Sequence, residues 1–352
     1  MEALKGKRIL VAALDWGMGH ATRCVPIIRR LQNQGQEVIL ASNGTALDFF
    51  KNYFPELKVL EKPAYAITYP KNKSMAAVLF YKLPSIVKTI INEHRWLKKI
   101  ISQYKINEVI SDNCYGMWNK KIHSVFITHQ LRVKCPPRLS FLEPLITYII
   151  LFFVKKYDEC YIPDLEGIDN YSGELSHLNK LPINASFIGL LSRFCDIKTE
   201  QMSKVYDIVF LLSGPEPQRT IFENKCLRLL KGQQIKSCFI RGLPGNTEKK
   251  MNTNVTTWHN HLPDDELIAI LCSSKKIICR SGYSTIMDLV VLNVKAMLVP
   301  TPGQTEQEYL AHHNKNKDQF EIIKQEKLTV SDLLRDVNRP AVRNIYNEGT
   351  TF

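Results

Sequence analysis

Residues 7–41 read KRILVAALDWGMGHATRCVPIIRRLQNQGQEVILA, and the punctuation of this stretch decides the fold class. After two basic residues the run to Leu14 is continuously apolar, the pattern of a strand buried on both faces. DWGMGH, residues 15–20, is a turn, and Ala21–Gln34 then repeats its apolar residues at helical spacing up to Gly35, a helix stop. Gln36–Ala41 is a second strand. Strand, glycine loop, helix and strand make a βαβ unit, whose strands are parallel.

The alternation continues outward. Helices are expected over 76–91, 95–103 and 141–156, and short strands over 108–111, 124–128, 160–163 and 185–189. SRFCDIKTEQMSK, residues 192–204, is polar, and the buried run YDIVFLL at 206–212 restarts the pattern with its own loop, SGPEPQR, and a helix over 220–230. Strands over 237–241, 275–279 and 296–299 follow, separated by helices over 264–273 and 285–292. The reading is an α/β chain of two Rossmann-like domains, 1–195 and 196–352, with the last helix packing back on the first domain.

A chain of 352 residues suits two cores, and its 45% apolar and 23% charged residues exclude a disordered, collagenous or repeat-biased protein. The net charge of +13 is unevenly placed: residues 1–156 carry 24 basic and 10 acidic side chains, a surplus of +14. That asymmetry points to an anionic partner for the first half: a membrane surface, nucleic acid or a phosphorylated substrate. Nine scattered cysteines without a CxxC pair indicate neither a disulfide framework nor a zinc site, and fit a reducing cytosol. The apolar run Ile9–Leu14 is too short for a signal peptide, and Leu145–Val154, at ten residues, is short of the roughly 20 a spanning helix needs.

In an open α/β sheet, ligands bind beyond the carboxyl ends of the strands, where every glycine loop of this chain falls. Gly17 and Gly19 permit close backbone approach, and His20 starts a helix, where an anion is favoured and a base is well placed. Ser213, Gly214 and Arg219 suit a diphosphate. The most specific stretch is 279–311, CRSGYSTIMDLVVLNVKAMLVPTPGQTEQEYLA. Here a strand ends in Arg280-Ser281-Gly282, a helix opens on Ser284 and Thr285, Asp288 lies one turn on, and a polar loop carries Gln304 and Gln307. This is the pattern of a nucleotide cradle: N–H groups for phosphate, a carboxylate for ribose hydroxyls and amides for a sugar.

This stretch resembles the donor motif of the GT-B glycosyltransferases of family 28, which include the peptidoglycan UDP-N-acetylglucosamine transferases and the monogalactosyldiacylglycerol synthases. Those families show R-[SA]-G at a strand end, an acidic ribose ligand and a V-P-x-P loop running to Gln. Arg280 to Gly282, Asp288 and Val299-Pro300 through Gln307 match in order, with Asp288 where Glu is usual. DWGMGH resembles the family's G-x-G-H loop, whose His faces the acceptor, while SGPEPQR is poorer in glycine than its counterpart.

The resemblance implies parallel-sheet domains facing a central cleft, a UDP-sugar on the second and an acceptor, lipid-linked or glycan, on the first. It implies metal-independent direct displacement at the anomeric carbon, with no cofactor and no metal, and no DxD metal signature stands in the chain. His20 is the expected base, Asp112 the reserve, and His261 a lining residue of the nucleotide pocket. Family members with lipid acceptors bind membranes through a basic, apolar patch. PLITYIILFFVKK supplies Tyr148, Phe152, Phe153, Lys155 and Lys156 for an anionic membrane surface, with Arg132, Lys134 and Arg138 before it. The expected place is the inner face of the cell membrane, in cell-envelope glycan synthesis, and no nucleic-acid module is evident. Asp15, His123 and His129 read as structural. A nucleotide-sugar hydrolase, a non-hydrolysing 2-epimerase and a non-catalytic nucleotide-sugar-binding subunit are the competing readings.

Overall fold

The computed structural model describes residues 6–65, 83–195, 203–244 and 252–335, and divides into two compact units, Met1–Arg193 and Phe194–Gly349. The first unit contains β1 (Arg8–Ala13), α1 (Gly19–Asn33), β2 (Glu37–Ser42), α2 (Gly44–Tyr53), β3 (Lys58–Glu61), α3 (Leu83–Tyr104), β4 (Glu108–Asp112), β5 (His123–Ile127), α4 (Glu143–Val154), β6 (Glu159–Ile162) and β7 (Ala185–Phe187). Its seven-stranded sheet has the order β3-β2-β1-β4-β5-β6-β7, parallel throughout. Successive β1 side chains serve opposite faces. Ile9, Val11 and Ala13 pack with Ile28 of α1 and Phe50 of α2, while Leu10, Ala12 and Leu14 pack with Leu97 and Ile100 of α3. A strand covered on both sides has no polar position to spare, which is why the sequence shows an unbroken apolar run.

The second unit contains β8 (Tyr206–Leu211), α5 (Gln218–Leu230), β9 (Ser237–Ile240), β10 (Thr256–His259), α6 (Asp264–Cys272), β11 (Ser274–Cys279), α7 (Tyr283–Val291), β12 (Ala296–Leu298), α8 (Thr305–His313), β13 (Phe320–Ile322) and α9 (Val330–Leu334). Its six-stranded parallel sheet runs β10-β9-β8-β11-β12-β13, around a core of Phe210, Phe222, Phe239 and Ile278. In each sheet the order reverses beside the unit's first strand, at β1/β4 and at β8/β11, the switch points where α/β sheets take their ligands.

The structure departs from the sequence reading at several elements. The two helices expected over 76–91 and 95–103 are one helix, α3, through Asn92 to His94, and residues 76–82 lie outside the described residues. Glu93, within the expected break, is fully buried, and its carboxylate pairs with Lys62 at 2.9 Å and accepts from Tyr65 and from the Gly116 amide. The polar stretch expected to be a loop through Glu308 becomes α8 at Thr305. The short elements α2, β3, β10, β13 and α9 were not read from the sequence. Residues 336–352 lie outside those described.

Candidate active site

In the first unit, β1 leads through residues 14–18 into α1, and the amide of Leu14 donates to the carbonyl of Asp112 at 3.0 Å. This pins the loop to the end of the neighbouring strand β4. Gly17 has φ +90°, in the left-handed region that favours glycine. Asp15 is spent on α2, where its Oδ1 accepts from Thr45 Oγ1 at 3.0 Å and from the Ala46 amide at 3.1 Å.

His20, in the first turn of α1, lies with Nδ1 at 2.7 Å from Asp112 Oδ1; its side chain keeps 15% exposure and that of Asp112 none. The nearest partner of Nδ1 is a carboxylate oxygen, so Nδ1 carries the proton and donates it, which leaves Nε2 as the basic nitrogen. Arg23, one turn further along α1, grips the same carboxylate through Nε to Oδ2 at 2.7 Å and Nη2 to Oδ1 at 2.6 Å. Its Nη1 donates to His129 Nδ1 at 2.8 Å, so His129 accepts at that nitrogen. Burial pushes the Asp112 carboxyl up, but Arg23 and His20 outweigh it and hold the group at about 2. Asp112 is therefore ionised, and this reserve candidate is the hydrogen-bond partner of His20, the first candidate. His123 lies apart, half exposed, between Glu108 and Glu159.

In the second unit, the loops beyond β8, β11 and β12 carry the expected donor residues, and the structure sorts them into two groups. Ser213, Gly214, His261, Gly282, Ser284, Thr285, Asp288 and Gln304 all retain access to solvent. Gly214 has φ +98°, and α7 opens on Gly282.

Arg219, Ser281 and Gln307 are buried and serve the fold, which corrects their assignment to the donor. Arg219 pairs with Glu216 and Glu223, both at 2.6 Å, and with Thr220 at 2.8 Å. Ser281 Oγ donates to the Gln307 carbonyl at 2.8 Å, and Gln307 Oε1 accepts from the Thr301 amide at 2.8 Å, closing the loop over α8. Arg280 is a clip as well. It donates to the carbonyls of Val299 and Pro300 at 3.1 and 3.3 Å and of Gln218 at 3.2 Å, and lies over the Phe222 ring. Burial lowers its pKa to about 10. Sequence reasoning missed Arg241, whose guanidinium reaches Glu223 at 3.2 Å and Asn260 at 2.8 Å. Arg219 and Arg241 thus share the buried carboxylate of Glu223, while Arg280 is held by backbone carbonyls. Among the described residues no three His, Cys, Asp or Glu side chains gather as a metal cage.

Residues 245–345 match the model of the glycosyltransferase family 28 C-terminal domain. In fold, the chain is similar to the glycotransferase of kitacinnamycin (TM-score 0.63, 13% identity, covering 95% of this chain and 90% of that one). It is also similar to the glycosyltransferase SnogD from Streptomyces nogalater (0.61, 11%, 95% and 91%) and to Acinetobacter baumannii MurG (0.51, 13%, 93% and 88%). The chain has the GT-B fold of these glycosyltransferases, and its second unit carries the family 28 C-terminal domain match. No curated protein matches it in sequence.

In the first unit of this GT-B-fold protein, the segment expected to supply a membrane patch differs in extent and facing from the sequence reading. A 3-10 turn, Pro137–Leu142, runs directly into α4, so the helical stretch is 18 residues, 137–154, against the expected 141–156, and is long and apolar enough by length and composition to cross a membrane. One side of it is built into the unit: Ile150 and Val154 are buried with Phe126, Leu131 and Cys160. The other side presents Phe141, Leu145, Tyr148, Ile149 and Phe152, at helical spacing and 73, 57, 70, 37 and 49% exposed. Phe153 turns inward against Tyr115 and leaves the patch, whereas Lys155 and Lys156 are exposed. Arg132 and Lys134 both pair with Glu174, at 3.2 and 2.7 Å.

Proposed function

We propose that this protein transfers a hexose from a UDP-sugar to a hydroxyl of a lipid-linked or membrane-associated acceptor, by direct displacement that needs no metal. The observation that carries the reading is the His20–Asp112 pair, a histidine whose Nδ1 is committed to a buried carboxylate and whose Nε2 is the remaining base. In the proposed step, Nε2 takes the proton of the acceptor hydroxyl as its oxygen bonds to the anomeric carbon. The bond from that carbon to the diphosphate oxygen breaks, and the electron pair leaves with UDP. The amino-terminal turn of α7, where the helix dipole favours an anion, supports that leaving group. Asp288, half exposed on α7, is the proposed ribose ligand, with Gln304 toward the sugar.

The apolar stripe of α4, with Lys155 and Lys156 at its end, supports docking on an anionic bilayer at the inner face of the membrane. A helix tied to the unit core by Ile150 and Val154 fits a position in the plane of the interface, because a spanning helix would have to leave that core.

Calorimetry with UDP in the absence of divalent cations tests the donor site. Binding is expected in the wild type and a loss of at least tenfold in Asp288→Ala, and unchanged affinity in the variant would remove Asp288 from the site. His20→Ala is expected to abolish transfer while retaining UDP binding. Stoichiometric UDP release without any acceptor would favour a hydrolase.

A further inference from the structure

A buried carboxylate beside a histidine has two effects that pull against each other for a base. It fixes the ring and tautomer, and it also stabilises the protonated imidazolium, in which form the ring no longer accepts a proton. In this protein the carboxylate is not alone. Arg23 is 1% exposed and meets Asp112 with two parallel N–H···O bonds, and its remaining nitrogen is anchored on the buried His129. The pair carries no net charge, and the planar fork sets the plane of the carboxylate to which His20 points.

We propose that Arg23 is a positioning residue that keeps His20 free to act as a base, by neutralising Asp112 so that the carboxylate orients the ring without drawing a proton onto it. The inference rests on the reading of His20 as the acceptor base and adds the device that sets its working pH range. The other titratable groups packed here do not supply the compensation. Burial pushes the Cys24 and Cys114 thiols up, which keeps both uncharged, and His129 accepts from Arg23.

Two single substitutions then act in opposite directions. Arg23→Met leaves Asp112 uncompensated, and the acidic limb of the pH–rate profile is expected to move up by about one unit or more. Asp112→Asn leaves Arg23 uncompensated, 3.2 Å from His20 Nδ1, and the limb is expected to move down. The double variant is neutral again, and its limb returns toward that of the wild type. Arg23→Lys keeps the charge but loses the fork, so it lowers kcat with little movement of the limb.

The same comparison is made on the folded protein by NMR titration of the His20 ring, which needs no turnover, and Asp112→Asn and Arg23→Lys serve if Arg23→Met does not fold. Limbs and ring titrations that coincide in wild type, Arg23→Met and Asp112→Asn would overturn the inference and leave Arg23 a structural residue. Ring titrations that move as stated in a protein that transfers no sugar would overturn the transferase reading alone.

Discussion

Asp112 ties the chemistry of the first unit to its stability. Its folded pKa of about 2 lies below the unfolded value near 3.9, so its contribution is complete above about pH 4 and is lost as pH falls through 2. The difference corresponds to roughly 2 kcal/mol. Urea unfolding between pH 6 and 2 should therefore show a steeper loss of stability for wild type than for Asp112→Asn, and parallel curves would separate the carboxylate from stability. Gln307 makes the complementary case in the second unit. Gln307→Ala strands the buried Thr301 amide and should cost about 1–3 kcal/mol in chemical denaturation. Lost UDP affinity at unchanged stability would return Gln307 to the donor site. His20 and Asp112 were legible as separate candidates because each ends a strand or opens a helix at the carboxyl edge. Their union was not legible, since it follows from the pairing of β1 with β4 across 92 residues. Arg23 gave no signal, because an arginine in an amphipathic helix reads as solvent-facing until a buried acid is found beneath it. Arg219, Ser281 and Gln307 show the opposite case: polar residues beside glycine loops look like ligand contacts, and here Glu216 and Glu223 hold Arg219 while the loop backbone uses Ser281 and Gln307.

At the scale of the element, α4 is two half-helices in function. Its inner side is core, and Ile150→Ala should cost roughly 2–5 kcal/mol of stability. Its outer side is free of the core, so replacing Phe141, Tyr148 and Phe152 together by Ser should leave unfolding within about 1 kcal/mol of wild type. The same triple substitution should remove flotation with anionic liposomes, and undiminished flotation would move the docking surface elsewhere. The helix itself was visible in the sequence. Its facing was not, and its start, expected at 141, lies earlier because the 3-10 turn from Pro137 runs into α4. The inward turn of Phe153 depends on Tyr115, a residue in another loop that no local pattern connects to it.

For the whole molecule, the charge surplus of residues 1–156 now has partners to be counted against. Arg132 and Lys134 share Glu174, and Lys7 and Arg8 lie near Glu108 and Glu37, at the amino ends of the strands, away from the His20 edge. Exposed pairs of this kind are weak, so an anionic surface competes with them easily. Binding to anionic vesicles should fall steeply between 50 and 500 mM salt, leaving a residue of apolar binding through the α4 stripe. Binding indifferent to salt would make the surplus irrelevant to docking. The two parallel sheets and their restart at residue 206 were legible because buried parallel strands are written as apolar runs followed by turns. The edge strands β10 and β13 were not, being four and three residues long, too short for a periodicity to register.

The pairing of β1 with β4 also orders events in time. His20 leaves the ribosome more than 90 residues before the carboxylate that orients it, and α1, α2 and β3 must be accommodated before the central strand pair closes. Until then Arg23 is an ordinary helix cation and His20 an ordinary surface histidine. A nascent chain or a truncation ending before Asp112 thus contains the whole glycine loop and its histidine and still lacks the carboxylate that orients it, which makes the His20–Asp112 contact a report that the middle of the first sheet has formed.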